Sequence, residues 1–474
     1  MWKLVVVALG VFVAADDQTS VVTVLPSIIR DTGITVDDFY RSSWVVNGYL
    51  LGYLAAMPLL GRVADVYGRG RVFVATLAIF IAGSALVAMS PNFTWLVIAR
   101  AIQSVGAGGV VPVAMAVVVD EVSPSRRAMG LGAIAAASEA GALLGPLWGG
   151  AITDLAGWRW VFWINLPMTV PILVAGWWLT RSQARLPGRV DWSGGVLLAA
   201  ALSVLTFALV DDPVSPRPTV VTVALLLVVV GLVVAFIRHE RRGGASMVRL
   251  SLFAPRSVWV ANLVHVLVGG GLIVALFSVP LFVSLVLVGS PLDGGWTLMR
   301  LTAPVPLGAL AGGWLASRVG LRGIATAGLL LAAVGFAGLQ AWHETMGEVL
   351  RSLPLVIGGF GFGLVIAPLG LAVFQHVAED ERATAAAWLT MSRVIGMLIG
   401  GSLLTSQGLG RFYARTGAVE FNSPEFIAIV QQAQVSTFRE VFIATAVVMV
   451  AAAILAWFIG RGRAGAEDRW WTLG

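Results

Sequence analysis

The chain has 474 residues, of which 58% are hydrophobic and only 12% are charged, and its mean hydropathy is +0.89. A soluble protein of this length could not bury so much apolar surface, which predicts an all-α membrane protein. There is no cysteine, so disulfides and thiolate metal sites are excluded. The net charge of +6 comes largely from arginines in short loops between apolar runs. This pattern indicates how the spans are oriented in the membrane, and it does not indicate nucleic-acid binding.

Apolar runs of membrane-spanning length follow one another along the whole chain. Fourteen are predicted, near residues 4–29, 43–60, 72–90, 94–118, 128–152, 160–180, 192–210, 219–237, 257–280, 294–316, 323–341, 354–375, 383–410 and 437–460. The first run lacks a cleavage site leading into a soluble domain, so we expect a retained helix and not a signal peptide. Arginines concentrate in alternate loops, which predicts that both termini are cytoplasmic.

The loop after the second span recurs in the second half of the chain. It contains Gly61, Asp65, Gly68, Arg69 and Arg71, and a similar skeleton begins at Gly313, 252 residues after Gly61. Such a recurrence indicates two fused repeats, which in transporters surround a midplane site. We therefore predict a six-helix bundle over 1–180, two linker helices over 181–256 and a second six-helix bundle over 257–474.

The last helix is predicted to extend outside the membrane, near 411–436. Ser423 is a suitable N-cap, Pro424 a suitable first helical residue, and Glu425 an acid in the first turn. A helix from Pro424 to Ile459 would be about 54 Å long, whereas the hydrocarbon layer is about 30 Å thick.

Small residues follow one face of the fifth span. Gly141, Gly145, Pro146, Gly149 and Gly150 lie there, and glycines four residues apart let two helices approach closely. The proline frees a backbone carbonyl and permits bending. Taken alone, such a face more often reflects helix packing than a dedicated function.

Together these stretches resemble the major facilitator superfamily. The Gly61–Arg71 loop is similar to its signature loop, and Gly141–Gly150 to its antiporter motif. The stretch from Arg100 to Gly106 resembles its helix-4 motif, with Ser104 where glycine is usual. The stretch from Asp17 to Pro26 resembles the first-helix motif of the fourteen-helix drug:proton antiporters, with Val22 and Val24 replacing Asn and Ala.

Further stretches resemble the mycobacterial triacylglyceride and lipid exporters of that superfamily. They are Tyr49–Gly61, Glu139, Gly363–Pro368 and Arg393–Gly400. The resemblance implies a major facilitator fold, lengthened last helices outside the membrane, and cooperation with a periplasmic lipid-carrying lipoprotein. It also implies coupling or latch roles for Asp17, Glu139 and Arg393.

The charges within the spans are the candidate chemistry. Asp17 lies about 21 Å along the first span from Lys3, slightly past the bilayer middle, where an ionisable group is costly and is a functional candidate. Its alternative role is to neutralise an arginine and hold two helices together. Asp16 points about 100° away from it. Glu139 is a second proton-site candidate, and Arg100 and Arg393 are the expected counter-charges.

Several polar side chains within the spans are candidates to line a cargo cavity. They are Asn47, Gln103, Asn262, His265 and Arg300. His265 is either a helix-packing residue or a proton relay, and Arg300 either lines the cavity or extends outward to the interface. The scarcity of polar residues in the later spans favours a hydrophobic cargo.

The sequence thus predicts a secondary exporter of triacylglyceride-type or glycolipid-type lipids; the alternative is a proton antiporter for amphipathic drugs. The expected energy source is a proton gradient with no cofactor, and the expected state is a monomer among membrane lipids. The four histidines are far apart, and no Gly-x-Ser-x-Gly, His-Glu-x-x-His or nucleotide-binding loop is present. These absences argue against an enzyme and against ATP as the energy source.

Overall fold

The computed structural model describes residues 2–34, 39–121, 127–177, 190–212, 215–242, 250–343, 346–377, 382–416 and 426–460. These residues are almost entirely helical, so the predicted all-α fold is confirmed. The α-helices are α1 (Trp2–Asp31), α2 (Trp44–Tyr67), α3 (Arg69–Ala88), α4 (Phe93–Glu121), α5 (Arg127–Ala156), α6 (Trp158–Trp163), α7 (Asn165–Trp177), α8 (Trp192–Leu209), α9 (Thr219–Arg242), α10 (Arg256–Leu285), α11 (Pro291–Thr302), α12 (Pro304–Val319), α13 (Leu321–Leu339), α14 (Glu348–Phe374), α15 (Arg382–Leu403), α16 (Leu409–Thr416) and α17 (Phe426–Ala456). Short 3₁₀ turns occupy Phe39–Ser43 and Leu250–Phe253.

Within the described ranges, 13 helical spans are long and apolar enough to cross a membrane. One of these joins α6 to α7 as Trp158–Trp177, and another runs from Ala385 to Thr416. The remaining predicted span, 294–316, is divided into α11 and α12, of 12 and 16 residues. The division falls at Ala303, directly before Pro304, whose ring removes a backbone donor. With this divided helix, all fourteen predicted spans correspond to helical segments.

Helices α1–α9 belong to one compact unit, Met1–Leu250, and α10–α17 to a second, Ser251–Gly474. The helices α8 and α9 pack on each other, and α8 packs against α2. A Cβ atom on Gly195 of α8 would lie 3.2 Å from the side chain of Leu59. In α9, by contrast, only 6% of the most apolar window is buried. The predicted domain limits at 180 and 256 stay a prediction, while the packing associates both linker helices with the first unit.

In the first unit, glycines bring α5 against α1. A Cβ on Gly145 would lie 2.1 Å from the Thr19 hydroxyl, and one on Gly149 would lie 2.6 Å from the Ser20 carbonyl oxygen. Larger side chains would push the helices apart, so these positions require glycine. The antiporter-like motif therefore forms a close helix contact, directly beside the acidic pair of α1.

The second unit uses the same device between α10 and α15. A Cβ on Gly269 would lie 1.9 Å from the Arg393 carbonyl oxygen, and one on Gly396 would lie 1.8 Å from that of Val266. The two helices therefore meet backbone to backbone, as α1 and α5 do.

The two repeated loops share one backbone conformation. Gly68, between α2 and α3, has φ +104°, and Gly320, between α12 and α13, has φ +102°. Both values lie in a region that glycine adopts readily and other residues rarely do. In the first loop Arg69 NH2 lies 3.0 Å from Asp65 Oδ1, and its NH1 donates to the Ala116 carbonyl of α4 at 2.9 Å.

A π-helical turn, Leu404–Gly408, connects α15 to α16. Arg411 of α16 lies 3.0 Å from Glu440 of α17, and Arg415 pairs with the same carboxylate. Helix α17 has 31 residues and is therefore about 46 Å long, more than the hydrocarbon thickness. Its projection outside the membrane stays a prediction, and Ser423, Pro424 and Glu425 lie outside the described residues.

Candidate functional site

An ion pair lies within the helices of the first unit. Asp17 Oδ2 of α1 lies 2.8 Å from NH1 of Arg100 in α4, and both side chains are 0% exposed. Removing two charges from water is costly, so the pair persists only because further hydrogen bonds satisfy it. The structure thus brings together the two residues that the sequence proposed as acid and counter-charge.

Three polar side chains complete the surroundings of this pair. Gln103 Nε2 donates to Asp17 Oδ1 at 2.9 Å, and Asn165 Nδ2 of α7 donates to the same oxygen at 2.7 Å. Gln103 Oε1 in turn accepts from Arg100 NH1 at 2.7 Å. The Ser84 hydroxyl of α3 lies 2.6 Å from Gln103 Nε2 and 3.1 Å from Asn165 Nδ2. We call these five residues the Asp17 network.

Aromatic rings cover the remaining faces of the guanidinium. Arg100 Cζ lies 4.1 Å from the ring centroid of Tyr49 and 5.4 Å from that of Phe162. Its Nε and NH2 atoms are buried and make no hydrogen bond in the described structure. The ring faces therefore supply the cation–π attraction that stands in for those missing bonds.

The chemistry of the Asp17 network follows from its donors. Two amide N–H groups and one guanidinium point at a single carboxylate, which stabilises its negative charge. Adding a proton to that carboxylate would leave the buried guanidinium without its counter-charge. Four separate helices contribute to the network, so protonation of Asp17 would alter contacts between all four helices.

Asp16 has different surroundings from its neighbour. It is 4% exposed, and no hydrogen bond or ion pair to its carboxylate is found among the residues that the structure describes. Its backbone faces the glycine contact with α5, where a Cβ on Gly141 would lie 2.9 Å from the Asp16 nitrogen. Glu139 lies on α5, two residues before that glycine, and is partly buried.

The second unit places a smaller polar cluster between α10 and α15. The Ser392 hydroxyl donates to Asn262 Oδ1 at 2.7 Å, and Asn262 Nδ2 donates to the Val258 carbonyl at 2.8 Å. His265 is 8% exposed, and its buried Nδ1 has no hydrogen-bond partner in the described structure. Arg393 lies on α15 directly after Ser392. No acidic residue occurs in α10 or α15.

The remaining candidates are distributed over other parts of the molecule. Arg300 of α11 pairs with Glu348 and donates to the Ser352 hydroxyl at 3.0 Å, so it contacts the start of α14. Asn47 is fully buried in α2.

In the repeated loop, Arg71 is exposed, and Gly61 packs near Pro112. In the fifth span, Gly150 is buried and Pro146 lies within the helix.

Two network residues were not among the sequence candidates, Ser84 and Asn165. Asn165 is a polar residue in an otherwise apolar span, the same signal that singled out Gln103. It could have been found on that ground. Ser84 is small and occurs often in helix contacts, so the sequence carries little signal for its role.

A family model described as Major Facilitator Superfamily matches residues 7–401. The chain belongs to this superfamily. A triacylglyceride transporter of Mycolicibacterium hassiacum is 35% identical over 491 residues, covering 97% of the chain and 92% of that protein. One of Mycobacterium tuberculosis is 35% identical over 492 residues, covering 97% and 95%.

Solved structures of the major facilitator superfamily share the fold. A bacterial homologue of the human lysosomal transporter Spinster, in an inward-facing and unoccupied conformation, has a TM-score of 0.69 at 17% identity. The match covers 99% of this chain and 98% of that one. The human organic anion transporter MFSD10 has a TM-score of 0.55, also at 17% identity. This chain is therefore a multi-pass membrane transporter of the superfamily.

Proposed function

We propose that the chain exports lipids of the triacylglyceride or glycolipid type from the cytoplasmic membrane by proton-coupled alternating access. The buried Asp17 network is the observation that carries the proposal, because an ion pair inside a membrane bundle is costly and calls for a function. The cargo class is supported by the two relatives named triacylglyceride transporter, each 35% identical over 97% of the chain.

The proposed coupling step is protonation of Asp17. In the described conformation its carboxylate accepts hydrogen bonds from Arg100, Gln103 and Asn165. A proton would cancel the charge that Arg100 balances and would raise the free energy of this conformation. The equilibrium would then shift toward a conformation in which the guanidinium is hydrated or otherwise paired.

Asp16 is a second buried carboxylate, next to Asp17, and has a separate role in the proposed coupling. Asp17 is engaged by three donors, whereas Asp16 is buried and its carboxylate has no such bonds in the described structure. We propose that Asp16 first receives the proton and passes it to Asp17, whose protonation is the coupling step.

Transport of a fluorescent triacylglyceride by proteoliposomes under an imposed pH gradient tests the proposal. The variant Asp17→Asn is expected to lose gradient-dependent transport by about tenfold or more, equivalent to at least 1.4 kcal/mol in the barrier. Asp154→Asn, at an exposed position of α5, is the control and should behave as the unmodified protein. Full gradient-dependent transport by Asp17→Asn would refute the coupling assignment.

The same vesicles separate the lipid cargo from the drug alternative. An amphipathic cationic dye is supplied in place of the triacylglyceride, with the same gradient. Lipid transport without dye transport supports the proposed cargo. Gradient-dependent dye efflux without lipid transport would establish the alternative and would leave the coupling role of Asp17 intact.

A further inference from the structure

A cavity of about 480 Å³ lies in the first unit, apart from the Asp17 network. It is bounded by the 3₁₀ turn Phe39–Ser43, the starts of α2 and α4, the end of α8 and, after α8, residues 210–212, 215 and 217. The arginine distribution predicts that these helix ends lie on the outside. None of the five network residues lines the cavity, so it requires an explanation of its own.

Part of the cavity lining is polar. Arg217 Nε donates to Asp211 Oδ1 at 2.8 Å, and its NH2 donates to the carbonyls of Phe207, at 2.7 Å, and of Val210. The remaining NH1 is buried and has no hydrogen-bond partner in the described structure. A guanidinium held on two sides with one unused donor is suited to an acceptor oxygen that enters the cavity.

The polar part of the lining carries both signs of charge. Arg41 joins Arg217 in the lining, and Asp212 joins Asp211. Burial opposes ionisation of Asp211, but hydrogen bonds from Arg217 outweigh it and hold the pKa of that carboxyl below its usual range. Two cations and two anions give a neutral lining with separated positive and negative groups.

The cavity lining also has an apolar part. It includes Trp44, Val97, Ile98 and Phe207, whose ring centroid lies 4.5 Å from Arg217 Cζ. Ile98 is 55% exposed and Phe207 is 51% exposed, although both lie on membrane-spanning helices. Apolar side chains exposed on such helices face the hydrocarbon, so an acyl chain could lie against these residues without leaving the bilayer.

We propose that this cavity binds a zwitterionic phospholipid that carries a primary ammonium group. Its phosphate would accept from Arg41 and Arg217, its ammonium would donate to Asp211 and Asp212, and one acyl chain would lie along Val97 and Ile98. A purely anionic headgroup would give the neutral lining a net negative charge, and a soluble phosphate would leave the apolar wall unused. The occupant is a lipid of the membrane and not the cargo, so the proposal goes beyond the proposed transport function.

The test is native mass spectrometry of the delipidated full chain, titrated with phosphatidylethanolamine, phosphatidylcholine and phosphatidylglycerol. Phosphatidylethanolamine should bind most tightly. Ile98→Trp, which fills the cavity, should weaken that binding about tenfold, equivalent to 1.4 kcal/mol. Ile102→Trp is the matched control, because this residue lies one turn further along α4, is 41% exposed and does not line the cavity. Asp212→Asn should reduce binding of phosphatidylethanolamine to the level of phosphatidylcholine.

Several outcomes would overturn the assignment. Equal binding by the Ile98→Trp and Ile102→Trp variants would exclude the cavity as the site. Equal affinity for phosphoethanolamine without acyl chains would exclude a lipid occupant, and displacement by an equimolar triacylglyceride would show a neutral-lipid site. If Ile98→Trp fails to fold, Arg41→Gln and Arg41→Lys decide the matter: only the lysine variant should retain binding.

Discussion

The helix pairs α1–α5 and α10–α15 occupy corresponding places in the two units, yet they differ in chemistry. Both pairs meet through glycines at which a Cβ would lie 2.1 Å or less from a neighbouring atom, as at Gly145 and Gly396. Beside this shared packing, the first pair carries Asp16, Asp17 and Glu139, whereas the second pair has no acid in either helix. The two helix pairs thus share the close glycine packing, while the acidic groups occur only in the first.

This difference separates the helix packing that stabilises each unit from the buried charges that are the functional candidates. Close glycine contact needs only backbone atoms, so it can survive in both copies regardless of cargo or coupling ion. A buried charge persists only with its partners, and Arg100, Gln103 and Asn165 all lie in the first unit. The comparison therefore predicts unequal responses to changes of charge and equal responses to changes of packing.

The largest effect is expected from Arg100→Met. It leaves the Asp17 carboxylate buried without its cation, which costs about 3–5 kcal/mol of folding stability. The double variant Asp17→Asn with Arg100→Met should recover much of that loss, because both charges are then gone. Thermal unfolding in detergent measures both effects. A double variant no more stable than Arg100→Met would show that the two residues are not coupled.

Packing substitutions should affect the two units equally. Gly145→Val and Gly396→Val each force a side chain into a neighbouring helix, and each is expected to cost about 1–3 kcal/mol or more. Gly231→Val in α9 is the control, since nothing lies within 4 Å of a Cβ built there. Yield in the membrane and melting temperature are the measurements. Loss in only one of the two units would break the proposed equivalence of the helix pairs.

A smaller effect is expected in the polar cluster of the second unit. Ser392→Ala removes its 2.7 Å hydrogen bond to Asn262 and should lower stability by about 1 kcal/mol. Gradient-dependent transport should continue, in contrast to Asp17→Asn. If Ser392→Ala abolished coupling as completely as Asp17→Asn, ion handling would not be confined to the first unit.

The smallest effect concerns pH and the linker helices. Burial raises the pKa of Asp191, but hydrogen bonds from the Gly194 N–H and from His239, at 2.9 Å and 2.8 Å, hold it below its usual range. Because the folded pKa is lowered, the associated stability is present above the unfolded value and is lost as the pH falls through the folded value. Melting temperatures below pH 4 should therefore decline more in the unmodified protein than in Asp191→Asn. Equal declines would contradict this account.

Much of the fold could be predicted because the bilayer imposes a length on every span. The divided span at Ala303 could not, since a proline inside a membrane helix can bend it or interrupt it depending on its neighbours. The pairing of Asp17 with Arg100 was expected from the cost of isolated charge. Its link to Asn165 was not, because 148 residues separate the two and only the packing of α7 brings them together.

Helix α9 has a consequence for how such chains diversify. Helix α9 is little buried, and within the first unit it packs chiefly against α8. The α8–α9 hairpin can therefore be gained or lost as a module with little disturbance to the glycine contacts of the core. A lineage that lost it would retain twelve spans and the Asp17 network. It would lose the wall that Phe207 and Arg217 contribute to the lipid-facing cavity, so any lipid selectivity of that cavity would have been acquired together with the hairpin.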